Sequence, residues 1–176
     1  MARGIETKPY LEWLDGVESV AVSANTPHGI VAITLAELFN NQGDSFGLAM
    51  PEVHLRLNDT PGKRTVLLPD VAFYRVETLR SLDSADRLLP NVPPEIIVEV
   101  RSPVDRPGFR EGKIRRYLAW GCPLVFEVDP IPRSLAVHAL NGVRTLGIGD
   151  RFSDPLVPWL AFDVADVFAR LELFGF

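Results

Sequence analysis

The chain has 176 residues, 47% of them hydrophobic and 23% charged, a composition that suits one globular domain over residues 1–176. No apolar run reaches transmembrane length, and a single cysteine, Cys122, excludes an intramolecular disulfide and a cysteine-rich zinc site. A formal net charge of −5 argues against generic coating of nucleic acid, though not against a local basic site.

In chain order, the opening MARGIETKPYLEW lacks the apolar stretch of a secretory signal, so a cytoplasmic location is the expectation. Tyr10 to Trp13 reads as a helical turn closed by Asp15-Gly16, and Val17 to Val22 as a short strand. Thr26-Pro27 opens a helix, with Thr as N-cap and Pro in the first turn; Val31, Leu35, Leu38 and Phe39 form one face and Gly43 closes it. Leu48 to Leu57 alternates as a strand, Asn58 to Gly62 is a turn, and Val66 to Tyr74 is a strand broken at Pro69. Val76 to Pro94 is polar and loop-like, with room for one helical turn.

A strand from Ile96 to Arg101, a helix from Phe109 to Trp120 ended by Gly121, and a strand from Pro123 to Val128 follow. This order permits a right-handed parallel crossover. Ser134 to Leu140 pairs back, Thr145 to Ile148 adds a short strand, and Phe162 to Phe174 makes a last helix. The expected fold is α/β or α+β: a mixed sheet flanked by helices.

One residue sits oddly in this plan. Glu99 lies inside the apolar run IIVEV, and alternation puts it on one face with Ile97 and Arg101. A buried carboxylate costs several kcal/mol unless it is paired or metal-bound. Taken alone, an ion pair with Arg101 or an edge-exposed face accounts for it. Asp70, in Pro69-Asp70, is equally at home in a turn. Lys113 falls in the stripe Phe109, Lys113, Tyr117 beside Ile114 and Leu118, where a snorkelling lysine is the plain account. Together the three mean more. Two carboxylates on adjacent strands can hold one hard divalent cation, and a lysine beside them can activate water or stabilise phosphate charge. Metal-assisted phosphodiester hydrolysis needs that set. Between residues 101 and 116, six cations (Arg101, Arg106, Arg110, Lys113, Arg115, Arg116) face two acids, a patch suited to backbone phosphates as well as to a solvated helix face.

These residues have a familiar order. Pro69-Asp70-Val71-Ala72-Phe73, Ile97-Val98-Glu99-Val100 with Ser102-Pro103, Lys113 with Tyr117, and Val128-Asp129-Pro130 resemble the Uma family of restriction endonucleases, within the PD-(D/E)xK nuclease superfamily. Glu12-Trp13-Leu14-Asp15-Gly16, Pro27-His28 and the segment 150–168 are similar to its opening and closing parts. The resemblance implies a restriction-endonuclease-like core and a divalent metal, Mg²⁺ or else Mn²⁺, held by Asp70 and Glu99. It implies Lys113 as the superfamily lysine, moved to the following helix, with Glu12 as an accessory acid and His28 facing the site. Arg101, Arg110 and Arg116 are the expected phosphate contacts, DNA the expected partner, and a homodimer the expected form for a double-strand cut. Two positions depart from the pattern: Arg101 stands two residues after Glu99, and Ser-Pro-Ser reads Ser-Pro-Val. A competing expectation is a catalytically silent nuclease fold in which Arg101 neutralises Glu99. A third is a small-molecule phosphohydrolase using the same acids. Glu127, on the next strand, reads as an Arg-paired or solvent-facing residue, with an extra metal ligand as the alternative.

Overall fold

The computed structural model describes residues 10–21, 25–57, 62–103, 105 and 108–176. The chain begins with a hairpin, β1 (Leu11–Leu14) and β2 (Val17–Val20), in place of the expected helical turn. Asp15 at φ 50° and Gly16 at φ 83° make the turn, the left-handed pair that a two-residue hairpin loop requires. The first helix, α1 (Thr26–Gly43), is capped one residue earlier than expected: Asn25 accepts the His28 amide through its side chain.

Two segments expected to be single strands each divide between two sheets. After β3 (Gly47–Pro51), the chain bends at Glu52 (φ 48°) into β4 (Leu55–Arg56). Likewise β5 (Val66–Leu67) stops at Pro69-Asp70 before β6 (Val71–Arg75). Proline has no N–H to give a ladder, so the break falls where the chain changes sheets. The stretch expected as a loop holds two short helices, α2 (Val76–Ser81) and α3 (Ser84–Leu88). Of the expected turn at 58–62, residues 58–61 lie outside the described set.

The strand β7 (Ile96–Val100), the helix α4 (Phe109–Trp120) and the strand β8 (Leu124–Asp129) form the expected parallel crossover. Gly121 at φ 110° ends the helix, taking the left-handed cap that a side chain would resist. The strands β9 (Ser134–Ala139) and β10 (Gly142–Gly147) complete a meander. A small pair that the sequence reading missed, β11 (Arg151–Ser153) and β12 (Ala161–Asp163), precedes α5 (Val164–Leu173).

The main sheet runs β10-β9-β8-β7-β6-β3, with only β7 and β8 parallel. A second sheet runs β2-β1-β5-β4. On one face of the main sheet, α1 and α5 bury Leu35, Phe39 and Phe168 against Val98 and Phe126. On the other, Ile114, Tyr117 and Trp120 of α4 and Leu55 and Leu67 of the small sheet cover Ala72, Ile97 and Val125. The alternation read from β7 is therefore correct, with Ile96, Val98 and Val100 facing α1 and Ile97 facing α4. No helix among the described residues is long and apolar enough to cross a membrane.

Candidate active site

Glu99 follows Ile97 onto the α4 side and is buried. The helix supplies its partners. Lys113 and Tyr117, one turn apart, both reach Oε1 of Glu99: the ammonium Nζ at 2.8 Å and the phenol O–H at 2.9 Å. The same ammonium lies 2.8 Å from Oε1 of Glu12 on β1 and donates to the Leu68 carbonyl at 3.2 Å. Glu12 Oε1 also accepts the Leu68 amide at 2.8 Å. Lys113 thus joins β1, the end of β5 and β7 into one buried cluster, and every charged member has a partner, as burial demands.

Asp70 enters where the chain crosses from the small sheet to the main one. Its amide donates to Val98 O at 3.1 Å, and its Oδ2 accepts the Val100 amide at 2.6 Å. Asp70 therefore clamps the backbone of the strand that carries Glu99. Its other oxygen, Oδ1, lies 3.2 Å from His28 Nε2, delivered by the first turn of α1. The Nδ1 of His28 is buried with no partner among the described residues. An open groove of about 200 Å³, lined by His28, Gly29, Ala32, Ile33, Pro51 and Asp70, leads to this pair.

The electrostatics follow from burying one ammonium between two acids, Glu12 and Glu99, with a third, Asp70, nearby. Burial is the main force raising the Glu99 carboxyl to about 8; Asp70 and Glu12 push the same way and Lys113 opposes them. Burial would lower the Lys113 ammonium, but Glu12 and Glu99 outweigh it and hold the proton well above the ordinary lysine range. Burial also works against the His28 imidazolium, yet Asp70, with Glu99 and Asp105 behind it, raises it overall. The Tyr117 hydroxyl is pushed far up by burial and then by Glu99. In this arrangement Lys113 is a cation held between two carboxylates.

The arginines are arranged otherwise. Arg101 does not neutralise Glu99, contrary to the competing expectation. Its guanidinium lies 2.9 Å from Asp129 and 3.7 Å from Glu127, because the strand has ended and the side chain swings across to β8. Arg110 lies 2.7 Å from Glu127, 3.0 Å from Asp105 and 3.6 Å from Glu111. Glu127, also 3.1 Å from His138, is the Arg-paired residue anticipated, and chiefly the His138 hydrogen bond lowers its carboxyl. Arg116 lies 3.1 Å from Asp15 and donates to the Thr65 hydroxyl. Arg106 of the basic run lies outside the described residues. So Glu12, His28, Asp70, Glu99 and Lys113 come together, while Arg101 and Arg110 gather separately around Glu127. Two members of the cluster had been given no role from sequence. Tyr117 was signalled by its place one turn after Lys113, whereas the Leu68 backbone leaves no mark in a sequence.

A family model described as "Putative restriction endonuclease", Uma2, matches residues 2–165. The chain belongs to the Uma2 family. No curated protein matches it. Among solved structures, a putative nuclease of the DUF820 group from Anabaena variabilis is similar at 16% identity, with a TM-score of 0.80 over 94% of this chain and 93% of that one. That likeness places this Uma2 chain in the same nuclease-like fold.

The donor set of the Uma2 site can be tested against a metal by its chemistry. Asp70 and Glu99 offer hard carboxylate oxygens, and Glu99 responds to the charge of Asp70. Among the described residues, no three His, Cys, Asp or Glu side chains gather as a metal cage. Two carboxylates of this kind would fit Mg²⁺, which keeps several waters and uses one or two carboxylates plus substrate phosphate.

Proposed function

We propose that this Uma2 chain is a Mg²⁺-dependent endonuclease that hydrolyses DNA phosphodiester bonds. The observation that carries this reading is the convergence of Glu99, Asp70 and the Lys113 ammonium at one end of β7, with Lys113 2.8 Å from Glu99. Asp70 and Glu99 are the residues to hold the metal, Mn²⁺ serving as a substitute. When bound, Mg²⁺ supplies Lewis-acid polarisation of the phosphate and a more acidic water.

The chain's own groups do the rest. Lys113, kept protonated by Glu12, places a positive charge where negative charge grows on the phosphate oxygens as water adds. Tyr117 fixes the rotamer of Glu99 through its hydrogen bond. His28 donates toward Asp70 from the groove side and orients that carboxylate. With Arg101 committed to Asp129 and Glu127, the arrangement favours a working site over a silent one. A double-strand cut takes two such sites, which a homodimer would provide.

The test is nicking of supercoiled plasmid with Mg²⁺ or Mn²⁺. Glu99→Gln, Asp70→Asn and Lys113→Gln are each expected to lower the rate at least a hundredfold, and EDTA to abolish it. Equal nicking by wild type and Glu99→Gln would overturn the assignment.

A further inference from the structure

The nuclease reading needs a surface that grips the DNA backbone, and the arginines that sequence pointed to are poorly placed for it. Arg101 and Arg110 are bound to Asp129, Glu127, Asp105 and Glu111. A phosphate could claim them only by displacing carboxylates already in place.

A different set of cations surrounds the Asp15-Gly16 turn. Lys63 is exposed and packs against that turn: a Cβ on Gly16 would lie 3.7 Å from the Lys63 side chain. Arg64 follows it, with its carbonyl taking the Gly16 amide and its guanidinium stacked 4.0 Å over the Trp13 ring. On the other side of the turn, Arg116 holds Asp15. Arg115 is exposed, with its guanidinium beside Gly112, the point where α4 meets Leu14. Among the described residues, no acid pairs with Lys63, Arg64 or Arg115. Among the described residues, the acids here are Asp15, already held by Arg116, Glu18, across the hairpin from Trp13, and Glu111, one turn before Arg115 on α4. Over the described residues the rim is therefore net positive, in a chain whose total is −5.

We infer that this rim, built from Lys63, Arg64 and Arg115 around the hairpin tip that Arg116 braces through Asp15, is the surface that binds the DNA backbone beside the site. The inference rests on the nuclease reading. Three physical points support it. An arginine stacked on an aromatic ring is pre-ordered while its N–H edges stay free for phosphate oxygens. Lysine and arginine without carboxylate partners release counterions on binding, which paired ones do not. The rim also adjoins the chemistry: Arg116 is one helical turn from Lys113, and Trp13 follows Glu12 on the same strand. Strand alternation turns Glu12 inward and Trp13 outward, so one short strand serves both places.

Fluorescence anisotropy of a labelled DNA duplex, titrated in EDTA over a range of salt, tests this without cleavage. The slope of log K against log salt falls by about 0.9 for each phosphate that is no longer neutralised. Lys63→Ala and Arg115→Ala, on separate elements, are each expected to flatten the slope by about one such step. The triple variant with Arg64→Ala is expected to flatten it by two to three. Arg101→Ala is expected to leave it unchanged. An unchanged slope in the triple variant, a wild-type chain that binds no duplex, or displacement of the DNA by polyglutamate at equal charge would overturn the inference. Plasmid nicking separates this from the parent reading. If Glu99→Gln nicks like wild type, the catalytic assignment fails whatever the slopes; if the triple variant keeps the wild-type slope while Glu99→Gln is dead, only the rim is wrong.

Discussion

Lys113 is the residue on which the site depends physically. It is buried between Glu12 and Glu99, and its removal leaves two carboxylates facing each other without a cation. Breaking such a group costs about 3–5 kcal/mol. Lys113→Met is therefore expected to lose stability on that scale in urea denaturation, and adding Glu99→Gln to restore part of it, since contacting residues do not act additively. Glu127 carries a pH signature. Its folded carboxyl lies below the ordinary 4.5, first because His138 bonds to it, so the unfolded chain binds the proton more readily. Its contribution is complete above pH 4.5 and lost as pH falls through the depressed folded value. In acid denaturation monitored by circular dichroism, Glu127→Gln is expected to show a flatter loss of stability below pH 4.5 than wild type.

At the scale of elements, the start of α1 ties folding to the site. Asn25 caps the helix by accepting the His28 amide, and His28 reaches Asp70 from that same turn. Asn25→Ala is expected to cost about 1 kcal/mol, or about 2–4 °C in thermal midpoint, measured by calorimetry. The same elements show what a sequence reveals. The β7–α4–β8 unit was readable because an apolar run, a 3.6-residue stripe and Gly121 all agree there. Tyr10 to Trp13 misled because one turn of helix and one short strand have the same apolar content; the Asp-Gly pair behind it was the hairpin signal. Leu48 to Leu57 looked continuous because alternation persists through the bend at Glu52, whereas Pro69 marked a break in Val66 to Tyr74 without revealing that the chain changes sheets there. Of the two partners weighed for Glu99, the structure gives it Lys113 and not Arg101, for a related reason. Arg101 is its neighbour in sequence, but β7 ends at Val100, so the arginine is released toward Asp129 while Lys113, on the following helix, pairs with Glu99.

Across the whole molecule, β7 belongs to both apolar layers at once, with Val98 in one and Ile97 in the other. Two tryptophans report on these layers separately: Trp159 stacks on Phe73 in the first, and Trp120 lies in the second. Shared through the central strands β6, β7 and β8, the layers are expected to unfold together. Chains keeping only Trp159 or only Trp120 should give coincident fluorescence midpoints in guanidinium, and Val98→Ala and Ile97→Ala should shift both midpoints alike; separated midpoints would mean two independent units. The position of Lys113 reaches beyond this chain. Its cation arrives from the next helix, and the place two residues after the acid is held by an arginine with other business. A search for enzymes of this kind that demands an acid, any residue and a lysine along one strand passes over such a chain, whereas a search for an ammonium 2.8 Å from a buried strand carboxylate finds it. The part that is kept from one such protein to another would then be a distance in space, free to be supplied from whichever segment of the chain happens to pass by.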